Sequence, residues 1–138
     1  MGRILAIDFG KRHIGLAISD EMKIIAIGLE TIFYNNEKDL IEKLRVIIKD
    51  KDVEKIVLGY PISMSGKITQ IGLVVIDFKR LLEKEFGLAV ELLDERFTTE
   101  ISRRVVQEMK KKPTPSKGLL DKISAVIILQ DYLQFSKK

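Results

Sequence analysis

At 138 residues the chain is about the length of one ordinary domain, and a 46% hydrophobic content is enough for a core and excludes a disordered chain. It contains no cysteine, which excludes a disulfide framework and cysteine-ligated zinc. A net charge of +4 selects no partner by itself, no apolar run approaches the roughly 18 residues of a membrane span, and nothing at the start resembles a signal peptide, so the expectation is a soluble, cytoplasmic protein.

Three strands are predicted first, over 3–8, 13–19 and 24–32, with turns at Gly10-Lys11-Arg12 and Asp20-Glu21. That spacing suggests an antiparallel meander. Residues 37–49 carry Leu40, Ile41, Leu44, Ile47 and Ile48 at helical spacing. A short apolar strand follows over 53–58, closed by Gly59-Tyr60-Pro61, and residues 61–68 form a loop. A second helix is predicted over 69–86, ended by Gly87, and then a strand over 88–93, closed by Asp94-Glu95-Arg96. Thr98 or Thr99 can cap a third helix running to about Lys111. Pro113 and Pro115 break the chain before a last helix over 117–133. Strands joined by tight turns, then strands joined through helices, give one mixed five-stranded α/β sheet, three strands antiparallel and then two parallel. No linker or internal repeat is visible, and one domain over 1–138 is expected.

Asp8 is the most informative residue. It closes the apolar run Arg3-Ile4-Leu5-Ala6-Ile7, and an acid ending a buried strand is costly unless something pairs with it. It could also serve only to cap the turn at Gly10. Asp94 and Glu95 end the last strand, and side chains alternate along a strand, so at most one of them can join Asp8 while both keep strand geometry. Asp121 lies in the first turn of the last helix, with the small Ser124 and Ala125 at i+3 and i+4. Small residues there would let the helix approach the sheet and carry Asp121 to Asp8. Taken alone, Asp121 reads equally as a plain first-turn acid. Converging carboxylates repel one another, and a divalent cation with a preference for oxygen ligands, Mg²⁺ or Mn²⁺, relieves that repulsion. Two such ions about 3.5–4 Å apart can activate a water and steady a leaving oxygen.

Four motifs then carry a resemblance. The segment Asp8-Phe9-Gly10-Lys11-Arg12-His13-Ile14-Gly15 resembles the opening motif of the YqgF (RuvX) family. Gly59-Tyr60-Pro61-Ile62-Ser63-Met64-Ser65-Gly66 resembles its glycine-proline loop, Asp94-Glu95-Arg96-Phe97-Thr98-Thr99 its acidic-arginine-threonine motif, and Asp121-Lys122-Ile123-Ser124-Ala125 its last acidic motif. The resemblance implies a ribonuclease H-like fold related to the RuvC-type junction resolvases. It implies a metal-dependent nuclease assigned to 5′-end processing of precursor 16S rRNA, in a family earlier proposed to resolve Holliday junctions. By motif position Asp8, Glu95 and Asp121 would be the catalytic, metal-binding acids, using Mg²⁺ or Mn²⁺. The family usually has arginine where this chain has His13, so its positive charge is displaced to Lys11 and Arg12. His13 reads either as an ordinary strand residue or as an acid–base group.

Substrate contacts are expected from Arg12, from Ser63 and Lys67 on the central loop, and from Arg96 and Thr98 beyond the last strand. Arg96 could equally pair with Asp94. Between Arg96 and Lys117 seven basic residues face two acids, enough to follow a phosphate backbone or simply to solvate a helix. Tryptophan is absent, so an extensive base-stacking platform is not expected. Two other classes compete with the nuclease. One is an actin-like or sugar-kinase-type phosphotransferase, which opens with a similar strand but needs two such domains. The other is a non-catalytic RNA-binding assembly module. The predicted partner is structured nucleic acid, bound by a monomer or a homodimer.

Overall fold

The computed structural model describes residues 2–60, 69–94, 104, 108 and 118–135. The elements run β1 (Arg3–Phe9), β2 (His13–Ser19), β3 (Ala26–Phe33), α1 (Glu37–Asp50), β4 (Val53–Tyr60), α2 (Gln70–Phe86), β5 (Ala89–Asp94) and α3 (Leu119–Phe135). The five strands form one sheet in the order β3-β2-β1-β4-β5. β1 is antiparallel to β2 and parallel to β4; β2–β3 is antiparallel and β4–β5 parallel. This is the mixed sheet the sequence predicts, with β1, apolar on both faces, at its centre.

Boundaries differ from expectation mainly at β3, which starts at Ala26 and not at residue 24. The reason is Asp20: its Oδ1 accepts from the backbone N–H groups of Ile24 (2.7 Å) and Ile25 (2.9 Å), which draws them into the hairpin turn. Those donors, Ile25 first, hold the Asp20 carboxyl below the usual carboxylate range. Helix starts follow side-chain caps. Asn36 Oδ1 accepts from Asp39 N–H at 2.8 Å to begin α1, and Thr69 Oγ1 accepts from Gly72 N–H at 3.0 Å to begin α2. The expected third helix lies mostly outside the described residues; Arg104 and Glu108 are helical.

The alternation of each strand divides the core in two. Leu5, Ile7, Ile14, Leu16, Ile56 and Leu58 face α1 and α2 and pack on Leu44, Val75 and Leu82. Ile4, Ala6, Ala17 and Val57 face α3 and pack on Ala125, Ile128, Leu129 and Leu133. The second layer is built of small residues on the sheet side, so α3 lies close against the strands. Its start is tied down where Thr31 Oγ1 donates to Gly118 O at 2.7 Å. Its end is tied down where Lys55 Nζ meets Tyr132 Oη at 2.7 Å and Glu91 Oε1 at 3.0 Å. Those two partners raise the Lys55 pKa, Tyr132 first. No helix among the described residues is long and apolar enough to cross a membrane.

Ser19 is a buried polar residue on this side of the sheet. It is fully buried, and its Oγ accepts from Ile4 N–H at 2.9 Å, next to the register shift between Arg3 and Ile4 in the β1–β4 pairing. Ser19→Ala leaves that buried donor without an acceptor. The expected loss of stability is about 1–3 kcal/mol, read as a lower urea midpoint with an unchanged slope.

Candidate active site at the carboxyl rim of the sheet

β1, β4 and β5 all run toward one rim, where the chain leaves them at Phe9, Tyr60 and Asp94. In open α/β sheets this is the rim that carries sites. Phe9 turns to the α2 side, where its ring lies 4.7 Å from that of Phe78. Alternation therefore puts Asp8 on the α3 side, following Ile4 and Ala6. Its cross-strand partner is Gly15.

Gly15 joins Asp8 to the helix. A Cβ built on it would fall 1.9 Å from the carbonyl oxygen of Asp121 and 2.4 Å from its carbonyl carbon. The backbone of α3 thus occupies the space where a side chain opposite Asp8 would stand. A glycine inside a strand often marks such a close approach. Gly28 on β3 repeats the device one strand further out, with a built Cβ only 2.8 Å from Lys122 Cε. Together these contacts bring Asp121, in the first turn of α3, over the same sheet face as Asp8.

His13 shares the Gly15 face of β2. Its Nδ1 lies 2.8 Å from Asp121 Oδ2, an ion-pair distance. The ring is turned off the line of a hydrogen bond, and this buried nitrogen has no aligned partner among the described residues. Of the two readings of His13, the structure favours neither a plain strand residue nor a free base: it is the neighbour of the Asp121 carboxylate. The sequence offered no signal for this beyond the single histidine near the acid motif.

The remaining candidates divide. Asp94 pairs with Tyr60, which belongs to the α1/α2 layer, so Asp94 stands on the opposite face from Asp8. Leu93, the residue before it, packs on the α3 side. Arg12 is exposed on the β1–β2 turn. The turn is held by Tyr34, whose N–H donates to Arg12 O at 3.0 Å and whose hydroxyl donates to Gly10 O at 2.6 Å. Burial pushes the Tyr34 pKa up, which keeps that proton in place. Ser63, Lys67, Glu95, Arg96 and Thr98 lie outside the described residues.

The donor set suits a hard cation. Asp8 and Asp121 bring carboxylate oxygens to one face, with no thiolate anywhere in the chain. Among the described residues no three histidines, aspartates or glutamates are grouped so that they could hold a metal ion. Such a site depends on the closeness of α3 to β2. Gly15→Ala sets a methyl against backbone atoms that cannot rotate away. The expected cost is about 1–3 kcal/mol of stability in urea unfolding, with a displaced His13 imidazole resonance as Asp121 moves off.

The chain is similar to known proteins over nearly its whole length. A protein of Koribacter versatilis named "Putative pre-16S rRNA nuclease" is 41% identical over 133 residues, which cover 96% of this chain and 87% of that protein. One of the same name from Dictyoglomus thermophilum is 42% identical over 134 residues, covering 97% and 96%. Among solved structures, Thermus thermophilus RuvC in complex with a Holliday junction substrate matches with a TM-score of 0.58 and 12% identity, over 99% of this chain and 97% of RuvC. At that identity the likeness is one of fold, and it makes the sheet a RuvC-type, ribonuclease H-like one. The family model "RuvX: Holliday junction resolvase" matches residues 2–135, and with nearly its whole length accounted for the chain belongs to the RuvX family.

Proposed function

We propose that this chain is a divalent-metal-dependent endonuclease that hydrolyses phosphodiester bonds in the 5′-end processing of precursor 16S rRNA. The observation that carries the reading is the meeting of Asp8 and the Asp121 turn of α3 on one face of the sheet, through Gly15. The names of the relatives support the substrate, and membership of a nuclease family supports the chemistry.

Glu95 is the third acid in this reading. Asp94 is on the far face, and the next residue in the chain lies only about 3.8 Å away, Cα to Cα. Its assignment rests on the acidic-arginine-threonine motif and on Asp94 facing away from Asp8. Asp8, Glu95 and Asp121 would hold Mg²⁺ or Mn²⁺, which when bound lowers the pKa of a water and balances charge on the leaving oxygen. His13, at 2.8 Å from Asp121, keeps that carboxylate on the Asp8 face. Arg12 meets the substrate phosphates from the β1–β2 turn. Ser63, Lys67, Arg96 and Thr98 follow directly on strands that end at the same rim and would complete the contact with the sugar-phosphate backbone.

A four-way DNA junction is the second substrate, favoured by the fold shared with RuvC and by the family description. Trimming an RNA end needs one site and a monomer, whereas resolving a junction needs two paired sites and so a dimer. A cleavage assay with Mn²⁺, offering a precursor 16S fragment and a junction side by side, separates the two. Binding of both without cutting would instead mean an RNA-binding assembly module.

Asp8→Asn is expected to reduce cleavage to background and to weaken Mn²⁺ binding in calorimetry, while the circular dichroism spectrum stays that of the wild type. Wild-type cleavage by this variant would end the proposal.

A further inference from the structure

Beside the acids lies an open depression of 650 Å³ lined by Lys11, Arg12, His13, Phe33, Tyr34 and Asn35. Its composition differs from that of the 340 Å³ cleft on the other face, which is walled largely by Phe9, Leu40, Val74, Phe78 and Leu81. It combines cations with aromatic rings. Lys11 and Arg12 are exposed, and no ion pair to either is formed among the described residues. Phe33 ends β3 with 48% of its surface exposed. Its ring lies 5.7 Å from that of His13 at an interplanar angle of 52°, so the two rings are not stacked and the exposed part of Phe33 is not used up by its neighbour.

The walls are held in place. Tyr34 fixes the turn that carries Lys11 and Arg12, through its bonds to Arg12 O and Gly10 O. Lys43 Nζ donates to Phe33 O at 2.7 Å from α1. His13 forms the boundary with the acids, since its Nδ1 is the atom that meets Asp121.

We propose that this depression seats one unpaired nucleotide beside the scissile phosphate, with its base against Phe33 and its phosphate on Arg12 and Lys11. The proposal rests on the nuclease reading above and adds the substrate feature the enzyme selects: a cut site flanked by a single strand. Cations alone would serve any phosphate backbone, paired or not. An exposed phenyl ring in the same depression adds nothing for a phosphate, but it offers a face to a base. A base inside a duplex cannot reach that face without unstacking, which costs a few kcal/mol. One such ring is enough for one nucleotide, so a chain with few aromatic residues can still discriminate single-stranded from paired substrate.

The test is equilibrium binding in EDTA, by fluorescence anisotropy, of a labelled ten-nucleotide single strand and a blunt duplex of the same sequence, each as RNA and as DNA. Phe33→Ala is expected to weaken single-strand binding about tenfold, duplex binding less than twofold, and to leave the salt slope unchanged. Phe33→Trp is expected to restore the single-strand affinity. Arg12→Ala is expected to weaken both ligands and to lower the salt slope by about one. Equal affinity changes for the two ligands in Phe33→Ala, or none, would overturn the proposal. Should Phe33→Ala fail to fold, quenching of 2-aminopurine in a single strand bound to the wild type decides the matter, and no quenching rejects it. Because no metal is present, failure of the Asp8→Asn test leaves this readout intact, and failure here leaves the catalytic assignment standing.

Discussion

The site depends on a missing side chain. Asp8 can stand on the sheet with a second acid above it only because its cross-strand neighbour is Gly15 and the Asp121 backbone fills the space left there. A contact between two backbones has no rotamers to absorb an error, so the spacing of the two acids is fixed by the packing of α3. The rest of that layer follows the same rule. Ala6, Ala17 and Ala125 are fully buried where larger residues would lift the helix away. Acids gathered on one face gain nothing for the fold, since like charges repel. Fold stability is instead supplied by the layer beneath them, and the acids are carried by it.

α3 accordingly has two ends with different tasks. The far end is held by Lys55, Tyr132 and Glu91, with the Lys55 ammonium also 5.4 Å from the Tyr132 ring centre. The Glu91 carboxyl is held low by Lys55 first and by Tyr132 next, so the group remains charged at neutral pH. The near end is held by Thr31 at Gly118 and by the glycine contacts, which involve no charge. The far end is thus anchored by ions and the near end by shape.

Much of this was legible in the chain and some was not. The strands showed themselves by apolar runs and turns, and the central place of β1 followed from its being apolar on both faces. Asp8 and Asp121 could be singled out because each sits where an acid is unexpected or functionally placed. Ile24 and Ile25 look like strand residues, so the sequence alone places the start of β3 two residues early. Only the Asp20 side chain, which outcompetes the ladder for their N–H groups, removes them. The choice between Asp94 and Glu95 was undecidable from periodicity alone, since it depends on which face β5 turns toward α3. The Asp94–Tyr60 pairing puts Asp94 on the α1/α2 face, and Glu95 lies outside the described residues. Gly15 carries a readable signal, a glycine within an otherwise apolar strand, whose physical reason is the contact with the backbone of α3. The neighbourhood of His13 and Phe33 had no signal in either residue, because their register partnership joins two strands through a hairpin of uncertain length.

The fold by itself says little about which nucleic acid is cut. RuvC shares the architecture at 12% identity, and identity that low preserves strand order and layers but not the side chains along the rim. Contacts to phosphate place a strand without reading it, and they are common to RNA and DNA. What can differ between substrates is whether a base is available to be touched at all. A single-stranded cut site presents unpaired nucleotides, whereas the arms of a junction present stacked pairs. A rim that combines two exposed cations with one exposed ring, within reach of the Asp121 carboxylate through His13, is matched to the first geometry more closely than to the second. Selection between substrates would then arise from the cost of unstacking a base and not from recognition of its identity.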